Sequence, residues 1–178
     1  MIPTSLTIRG HTFEWGTRTY LMGVLNVTPD SFSDGGEFNT PDTALAQAQQ
    51  LVAAGADIID IGGQSTRPGA VEISLEEELE RVLSVLQVLR AEISVPISVD
   101  TTRAAVAKAA VEAGADIIND ISGATFDSEM LSTVASLGVP IVLMHIRGTP
   151  QTMQQLTNYQ DLIGEIYQFL ECRISAAS

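Results

Sequence analysis

The sequence predicts an α/β protein, a (β/α)8 barrel of the TIM type of which about five βα units are present. Short apolar runs alternate with helical patterns from residue 20 onward, as in a parallel sheet with crossover helices. The predicted strand ends recur about every 30 residues, so three more units of about 90 residues would give the usual barrel length of about 250. A five-stranded doubly wound sheet is the alternative, but no GxGxxG fingerprint follows the first strand.

The strands are predicted from short apolar segments, each with a polar residue at or near its end. They cover residues 20–24, with an end near Asn26, and residues 57–61, 96–100, 116–119 and 140–144. Residues 1–18 predict a hairpin that turns at Gly10-His11, and residues 19–178 hold βα units 1–5 of the same single domain. We expect this domain to be incomplete at its C-terminus. The 178 residues alone are then expected to be at best partly folded, because an open sheet exposes an unpaired edge.

The helices are predicted from capping signals. Thr40 before Pro41 marks one start, and Gly55 marks the end of that helix. Ser74 and Glu77 have the spacing of a capping box. The later helices run from about 102 to 114, from Asp127 to 138 with Asp127 as the cap, and over the last part of the chain.

One segment occurs twice. Residues 54–60, AGADIID, recur as residues 113–119, AGADIIN. Each copy predicts a helix stop, a tight turn and a buried strand, because glycine readily ends helices. Convergence of two junctions and a true duplication both explain the repeat, and both predict the same architecture.

The composition excludes several classes of function. The net charge is −13, which disfavours nucleic acid and anionic membrane surfaces as partners. No apolar run reaches the roughly 18 residues of a membrane helix, and the N-terminus lacks the pattern of a signal peptide. Cys172 is the single cysteine, so no internal disulfide can form. The sequence therefore predicts a cytoplasmic protein.

Polar residues gather where the predicted strands end. Asn26, Asp60, Asp100, Asn119 and His145 each follow an apolar strand. Two long loops rich in glycine and hydroxyl groups, residues 28–36 and 62–69, follow the first two strands. Because function in such folds collects at the carboxyl ends of strands, these features predict a small-molecule site.

The residue types suggest what the site binds. Asp100 can accept two N–H groups, which suits the aminopyrimidine edge of a pterin or a purine, and Asn119 can donate and accept beside it. Asn26 offers a neutral oxygen, suitable as a single protein ligand for Mg²⁺. Thr66 and Arg67 offer a hydroxyl and a guanidinium to a phosphate.

Five segments together resemble the dihydropteroate synthase family. They are residues 25–35 (LNVTPDSFSDG), 60–69 (DIGGQSTRPG), 97–101 (ISVDT), 118–122 (INDIS) and 143–145 (LMH), in the family's order. The resemblance implies an eight-stranded barrel, usually a homodimer, that acts in folate synthesis. It implies a transferase that joins 6-hydroxymethyl-7,8-dihydropterin diphosphate to p-aminobenzoate and releases pyrophosphate.

The resemblance also implies roles for the residues that match. Asn26 would meet magnesium and the diphosphate, and Thr66 and Arg67 would lie on the diphosphate side, Arg67 with a catalytic part. Asp100 would bind the pterin and help to stabilise a cationic pterin methylene, the electrophile that the aniline nitrogen attacks after the diphosphate leaves.

The other matched residues are expected to shape the two substrate pockets. Asn119 resembles a pterin contact and Met144 a wall of the pterin pocket. Phe32 and Pro68, on the two mobile loops, resemble walls of the p-aminobenzoate site. Gln64 stands where many relatives have glutamate.

The family's later strands supply an aspartate, a lysine and an Arg-x-His pair that have no match in these residues. We therefore expect no synthase activity from the 178 residues alone. A truncated, non-catalytic pterin-binding remnant is one alternative to the synthase. The pterin-binding domain of a methyltetrahydrofolate methyltransferase is another, although the loop at residues 28–33 argues against it.

Overall fold

The computed structural model describes residues 4–27 and 40–178. The strands are β1 (Ser5–Ile8), β2 (His11–Glu14), β3 (Met22–Asn26), β4 (Ile58–Gly62), β5 (Ile97–Asp100), β6 (Ile117–Asp120) and β7 (Ile141–Leu143). The helices are α1 (Pro41–Ala53), α2 (Leu75–Glu92), α3 (Ala104–Glu112), α4 (Met130–Leu137) and α5 (Leu162–Ala177). A single 3₁₀ turn, Met153–Gln155, precedes α5.

Strand order shows which α/β architecture this is. The main sheet is parallel throughout and runs β3-β4-β5-β6-β7, so its spatial order is the chain order. A doubly wound sheet would reverse its order at a switch point, and this sheet has none. Each helix from α1 to α4 contacts the next helix along the chain, as in the outer ring of a barrel. The prediction of a partial β/α barrel is confirmed.

The N-terminal hairpin packs beneath the sheet. Its turn lies at Arg9-Gly10, with φ values of 49° and 78°, so the predicted turn at Gly10-His11 was wrong by one residue. A two-residue hairpin turn needs positive φ at both central positions, and Gly10 supplies one of them without strain. Ile8 and Phe13 bury themselves against the starts of β4 and β6. The hairpin therefore covers the amino ends of the strands and leaves the carboxyl ends open.

The two faces of the sheet differ in chemistry. Leu25, Ile59, Ile61, Val99 and Ile118 are fully buried in the core that the helices cover. The opposite face carries polar residues in its central strands and exposed apolar residues on, or directly after, its edge strands. These are Met22, Val24, Val142 and Met144, with 37–54% of their surface exposed.

The repeated segment forms the same joint twice. In each copy the aspartate sits just before a strand and binds the backbone at the start of a neighbouring strand. Asp57 accepts from the Leu21 N–H at 2.8 Å, and Asp116 accepts from the Ile97 N–H at 2.9 Å. Each aspartate also binds an arginine, Arg18 and Arg90 respectively. In both copies of the repeat the aspartate therefore makes the same contacts, which fix the register of β4 on β3 and of β6 on β5.

One of the three predicted caps needs correction. Thr40 caps α1 as expected. Ser74 accepts from the Glu77 N–H at 3.1 Å, but the Glu77 side chain turns to Arg81, so the capping box is only half formed. Asp127 Oδ1 accepts from the Glu129 N–H at 2.9 Å, in the turn that leads into α4, as expected of a cap. Its Oδ2 also accepts from the Ala104 N–H at 2.8 Å, at the start of α3, because the two loops meet there.

Candidate active site at the strand ends

Four residues from neighbouring strands form one layer at the carboxyl edge of the sheet. Asn26 pairs with Gly62, Gly62 with Asp100, and Asp100 with Asn119. A Cβ placed at Gly62 would lie 3.4 Å from Asn26 Oδ1 and 3.9 Å from Asp100 Oδ2. The glycine therefore leaves open the space between the amide and the carboxylate. Three of the predicted site residues are thus brought together on one surface.

Asp60 lies deeper than the sequence predicted. β4 continues to Gly62, so Asp60 is not at the strand end but one layer below, paired with Ser98 and 4% exposed. The Asn119 Nδ2 donates to Asp60 Oδ2 at 3.1 Å, which joins the last positions of the two repeat copies across β5. This bond fixes the amide plane of Asn119. Burial raises the pKa of Asp60, and Ser98 and Asn119 oppose that shift.

Asp100 is a carboxylate without a partner among residues 4–27 and 40–178. Its Oδ1 is buried and accepts no hydrogen bond from them. Burial, and then the neighbouring charges of Asp60, Asp120 and Glu78, raises the pKa of Asp100 to about 7. A ligand that donates N–H groups would supply the missing partners and stabilise the ionised form. That Asp100 receives a hydrogen-bond donor from a ligand stays a prediction.

The loop between β4 and α2 borders a cavity of about 570 Å³ beside Asp100. Thr66 lines this cavity together with Asp100. Arg67 and Pro68 follow on the same loop and are exposed. The Arg67 guanidinium forms no hydrogen bond or ion pair within the described part of the chain, so it is free to meet an anion. The Gly69 N–H donates to the Pro150 carbonyl at 2.9 Å, which ties this loop to the segment after β7.

The remaining residues that were predicted for the site lie in different places. Met144 lies just after β7 with 43% of its surface exposed, on the side of the sheet that faces away from the helices. His145 does not join the strand-end layer, because its ring packs edge-on against Phe169 of α5 at 5.0 Å. Phe32 lies outside the described residues, as does the loop that carries it.

Three further residues that shape this site were not predicted from the sequence. Ser98 is fully buried beside Asp60, and its position two residues before Asp100 on one strand could have revealed it, since such residues share a face. Glu78 and Arg103 form an ion pair at the edge of the cavity. The sequence around Glu78 and Arg103 does not mark either residue as part of a site. Glu78 is the last of three consecutive glutamates, and Arg103 precedes an ordinary helix.

The donor set limits what kind of metal site is feasible. The described residues hold no group of three or more His, Cys, Asp or Glu side chains that could bind a metal. Asn26, by contrast, is exposed and its side chain bonds to none of the described residues. This fits an ion that keeps most of its ligands from water and phosphate and takes one oxygen from the protein, as Mg²⁺ commonly does. In this part of the chain no helix is long and apolar enough to cross a membrane.

The chain is similar to known proteins in sequence and in fold. Dihydropteroate synthase from Synechocystis sp. is 60% identical over 175 residues, which are 98% of this chain and 61% of that protein. The crystal structure of Yersinia pestis dihydropteroate synthase with a sulfonamide drug complex superposes with a TM-score of 0.88 at 46% identity, over 97% of this chain and 62% of that one.

A third relative is a solved structure with 4-aminobenzoic acid. Xanthomonas albilineans dihydropteroate synthase with 4-aminobenzoic acid superposes with a TM-score of 0.87 at 44% identity, over 98% of this chain and 61% of that one. This chain thus spans about three fifths of the length of the relatives it matches. The family model described as pterin binding enzyme matches residues 22–178. The chain belongs to the pterin binding enzyme family.

Proposed function

We propose that this protein is a dihydropteroate synthase, which joins 6-hydroxymethyl-7,8-dihydropterin diphosphate to p-aminobenzoate and releases pyrophosphate. The observation that carries the proposal is the unpartnered Asp100 carboxylate, placed beside Asn119 in the strand-end layer. The match to the pterin binding enzyme family and the identity to the synthases support it.

The pterin would bind on the Asp100 and Asn119 side. The aminopyrimidine edge of a pterin presents neighbouring N–H donors, and a carboxylate accepts them as charge-assisted hydrogen bonds. Asn119 is held by Asp60, so its Oδ1 has a defined direction when the ligand arrives. Met144 would contact the ring face from β7. This orientation directs the pterin methylene toward Thr66 and Arg67.

The diphosphate would bind on the Asn26 and Arg67 side. Thr66 offers a hydroxyl and Arg67 a guanidinium fork that matches phosphate oxygens. A bound Mg²⁺, held by Asn26 Oδ1, would supply positive charge to the departing diphosphate. Arg67 matters all the more because the net charge of the chain is −13.

In this reaction the protein mainly positions the two substrates and stabilises the charges that develop on them. The bond between the methylene carbon and the diphosphate oxygen breaks, and its electron pair leaves with pyrophosphate. The aniline nitrogen of p-aminobenzoate forms the new C–N bond and loses a proton. Asp100, ionised above pH 7, would stabilise positive charge on the pterin, while Arg67 would stabilise negative charge on the leaving group.

The direct test is turnover by the full-length gene product. We expect one pyrophosphate for each dihydropteroate formed when both substrates and Mg²⁺ are present. Saturable pterin binding without product would favour the alternative of a non-catalytic pterin-binding protein. Transfer of a methyl group from methyltetrahydrofolate would favour the methyltransferase alternative and overturn the proposal.

Arg67→Ala tests the diphosphate side. We expect this variant to bind pterin diphosphate about 10-fold to 100-fold more weakly, because a charge-assisted phosphate contact is lost. Binding of 6-hydroxymethyl-7,8-dihydropterin, which lacks the diphosphate, should stay within twofold. Lys108→Ala, which removes an exposed cation on α3, is the matched control and should change neither affinity. Equal weakening of both ligands by Arg67→Ala would contradict this role.

The pH dependence of binding tests the pterin side. The pKa of Asp100 lies near 7 and the ligand binds the ionised form. Affinity for 6-hydroxymethyl-7,8-dihydropterin should therefore rise with pH and level off above pH 7, with binding about tenfold weaker at pH 6 than at pH 8. Titration calorimetry with this ligand avoids the titration of the diphosphate itself. A flat profile for the wild-type protein between pH 6 and 8 would count against Asp100 as the acceptor.

Three expectations from the sequence stay proposals of the same kind. They are magnesium as the cofactor, a homodimer of the full-length protein, and a cytoplasmic location. Each follows from the resemblance or the composition. Mg²⁺ dependence of turnover, light scattering of the full-length protein and cell fractionation would test them in turn.

A further inference from the structure

Arg103 makes the widest set of contacts at the edge of the cavity. It lies three residues after Asp100 and has 20% of its side chain exposed. Its Nη1 donates to Glu78 Oε2 at 2.8 Å. Its Nη2 donates to Glu72 Oε1 and to the Ile73 carbonyl, both at 2.7 Å. One guanidinium thus joins the segment after β5 to the first turn of α2 and to the end of the loop at residues 63–74.

The partner Glu78 is almost entirely buried. It is 2% exposed, and its other oxygen accepts from the Thr101 hydroxyl at 2.6 Å. Thr101 follows Asp100 directly and also accepts from the Arg103 N–H at 3.2 Å. A buried carboxylate with both oxygens bonded to the end of β5 fixes α2 relative to the strand that carries Asp100.

Loop 63–74 is held at both of its ends. At the first end, Arg81 donates to the Gly63 carbonyl at 3.1 Å. At the second end, Arg103 binds Glu72 and Ile73, and the Ile73 N–H donates back to Gln64 Oε1 at 3.3 Å. Between these points the loop carries the residues proposed to meet the diphosphate.

Arg103 also balances negative charge around the cavity. Among its described lining residues, Arg103 is the one cation, while the carboxylates are Glu72, Glu78, Asp100 and Asp127. Loss of the guanidinium would leave Glu78 buried without its counter-ion and would let Glu72 move away from it. The loop end would then lose two hydrogen bonds, those to Glu72 and Ile73, and α2 would lose the one to Glu78.

We propose that Arg103 is a positioning residue that holds loop 63–74 against the end of β5 and so places Thr66 and Arg67 opposite Asp100. The inference rests on the proposed function for its ligand. Arg103 is expected to act on the diphosphate through the loop, without contacting the substrate. Pterin binding by Asp100 and Asn119 is independent of it.

The test uses the double variant Arg103→Met/Glu78→Gln in the full-length gene product. It removes the clamp without leaving a buried charge unpaired, so it avoids the misfolding that Arg103→Met alone risks. We expect hydrogen exchange of peptides within residues 64–74 to become about tenfold faster, while β5 and β6 stay protected. At pH 8, where Asp100 is ionised with or without the neighbouring Glu78 charge, the dissociation constant for pterin diphosphate should rise about tenfold, and that for 6-hydroxymethyl-7,8-dihydropterin should stay within twofold.

Arg103→Lys separates charge from geometry. Lysine keeps the positive charge beside Glu78 but cannot reach three oxygens with a planar fork, so thermal stability should recover while loop protection should not. Unchanged exchange and unchanged affinities in the double variant would overturn the proposal, and so would equal weakening of both ligands. If the wild-type protein binds neither ligand, the proposed function fails, whereas the exchange experiment still tests the clamp.

Discussion

Asp100→Asn is expected to weaken pterin binding by about 100-fold or more. The change replaces a carboxylate that accepts from two N–H groups with an amide that offers one oxygen and presents an N–H to a donor. A lost charge-assisted pair and a clash of donors together are worth about 3 kcal/mol. Turnover should fall at least as far, because the same carboxylate would stabilise positive charge on the pterin.

The same substitution should stabilise the fold at high pH. The pKa of Asp100 is raised to about 7 in the folded protein, above the ordinary value of 3.8. For an acid with a raised pKa, folding stability falls as pH rises from about 4 through 7, because the folded state then holds a buried charge. Asp100→Asn should therefore increase the free energy of unfolding by a few kcal/mol at pH 8 and leave it nearly unchanged at pH 4.

Two measurements on one variant check both statements. Calorimetric titration with 6-hydroxymethyl-7,8-dihydropterin gives the affinity, and urea unfolding at pH 4 and pH 8 gives the stability. Glu92→Gln is the control, since it removes one negative charge at the exposed far end of α2. Wild-type affinity and turnover in Asp100→Asn would rule out both proposed roles of this carboxylate.

Arg90→Ala is expected to cost about 3–5 kcal/mol of stability, the usual cost of breaking a buried ion pair from one side. Arg90 and Asp116 have only 12% and 14% of their side chains exposed, and their closest oxygen and nitrogen are 2.8 Å apart. The guanidinium also donates to the carbonyls of Ile93, Val95 and Gly114. Its removal would leave these carbonyls and the Asp116 carboxylate without a shared donor.

The repeat supplies a matched control. Arg18 forms the equivalent pair with Asp57, but 55% of its side chain is exposed. Arg18→Ala should therefore cost no more than about 1 kcal/mol. Chemical unfolding of the two variants at pH 7 compares them directly. Similar small losses of unfolding free energy in both variants would show that burial does not make the Arg90–Asp116 pair more important than the Arg18–Asp57 pair.

The order of elements was predictable because each βα unit carries its own signals. Apolar runs recur in every unit, and a glycine follows α1, α3 and α4 although not α2, so local patterns predicted the five strands and their order. The depth of Asp60 was not predictable in the same way. Gly62 looks like the start of a loop in the sequence, yet it completes the ladder between Asn26 and Asp100.

Contacts between loops could not be predicted from the sequence either. Asp127 accepts at the start of the helix that follows it, as its position predicts, but its second oxygen also caps α3 because two loops approach each other in space. Glu76, Glu77 and Glu78 are alike locally, and only the position of Thr101 and Arg103 decides which of them is buried. Such choices depend on how units pack together, which no single unit encodes.

The most direct test of this account is a calorimetric titration of the full-length gene product with 6-hydroxymethyl-7,8-dihydropterin diphosphate at pH 8, with and without Mg²⁺. We predict one saturable site per chain that binds more tightly when Mg²⁺ is present. Absence of saturable binding under both conditions would contradict the claim that the strand-end layer of Asn26, Gly62, Asp100 and Asn119 is a pterin diphosphate site.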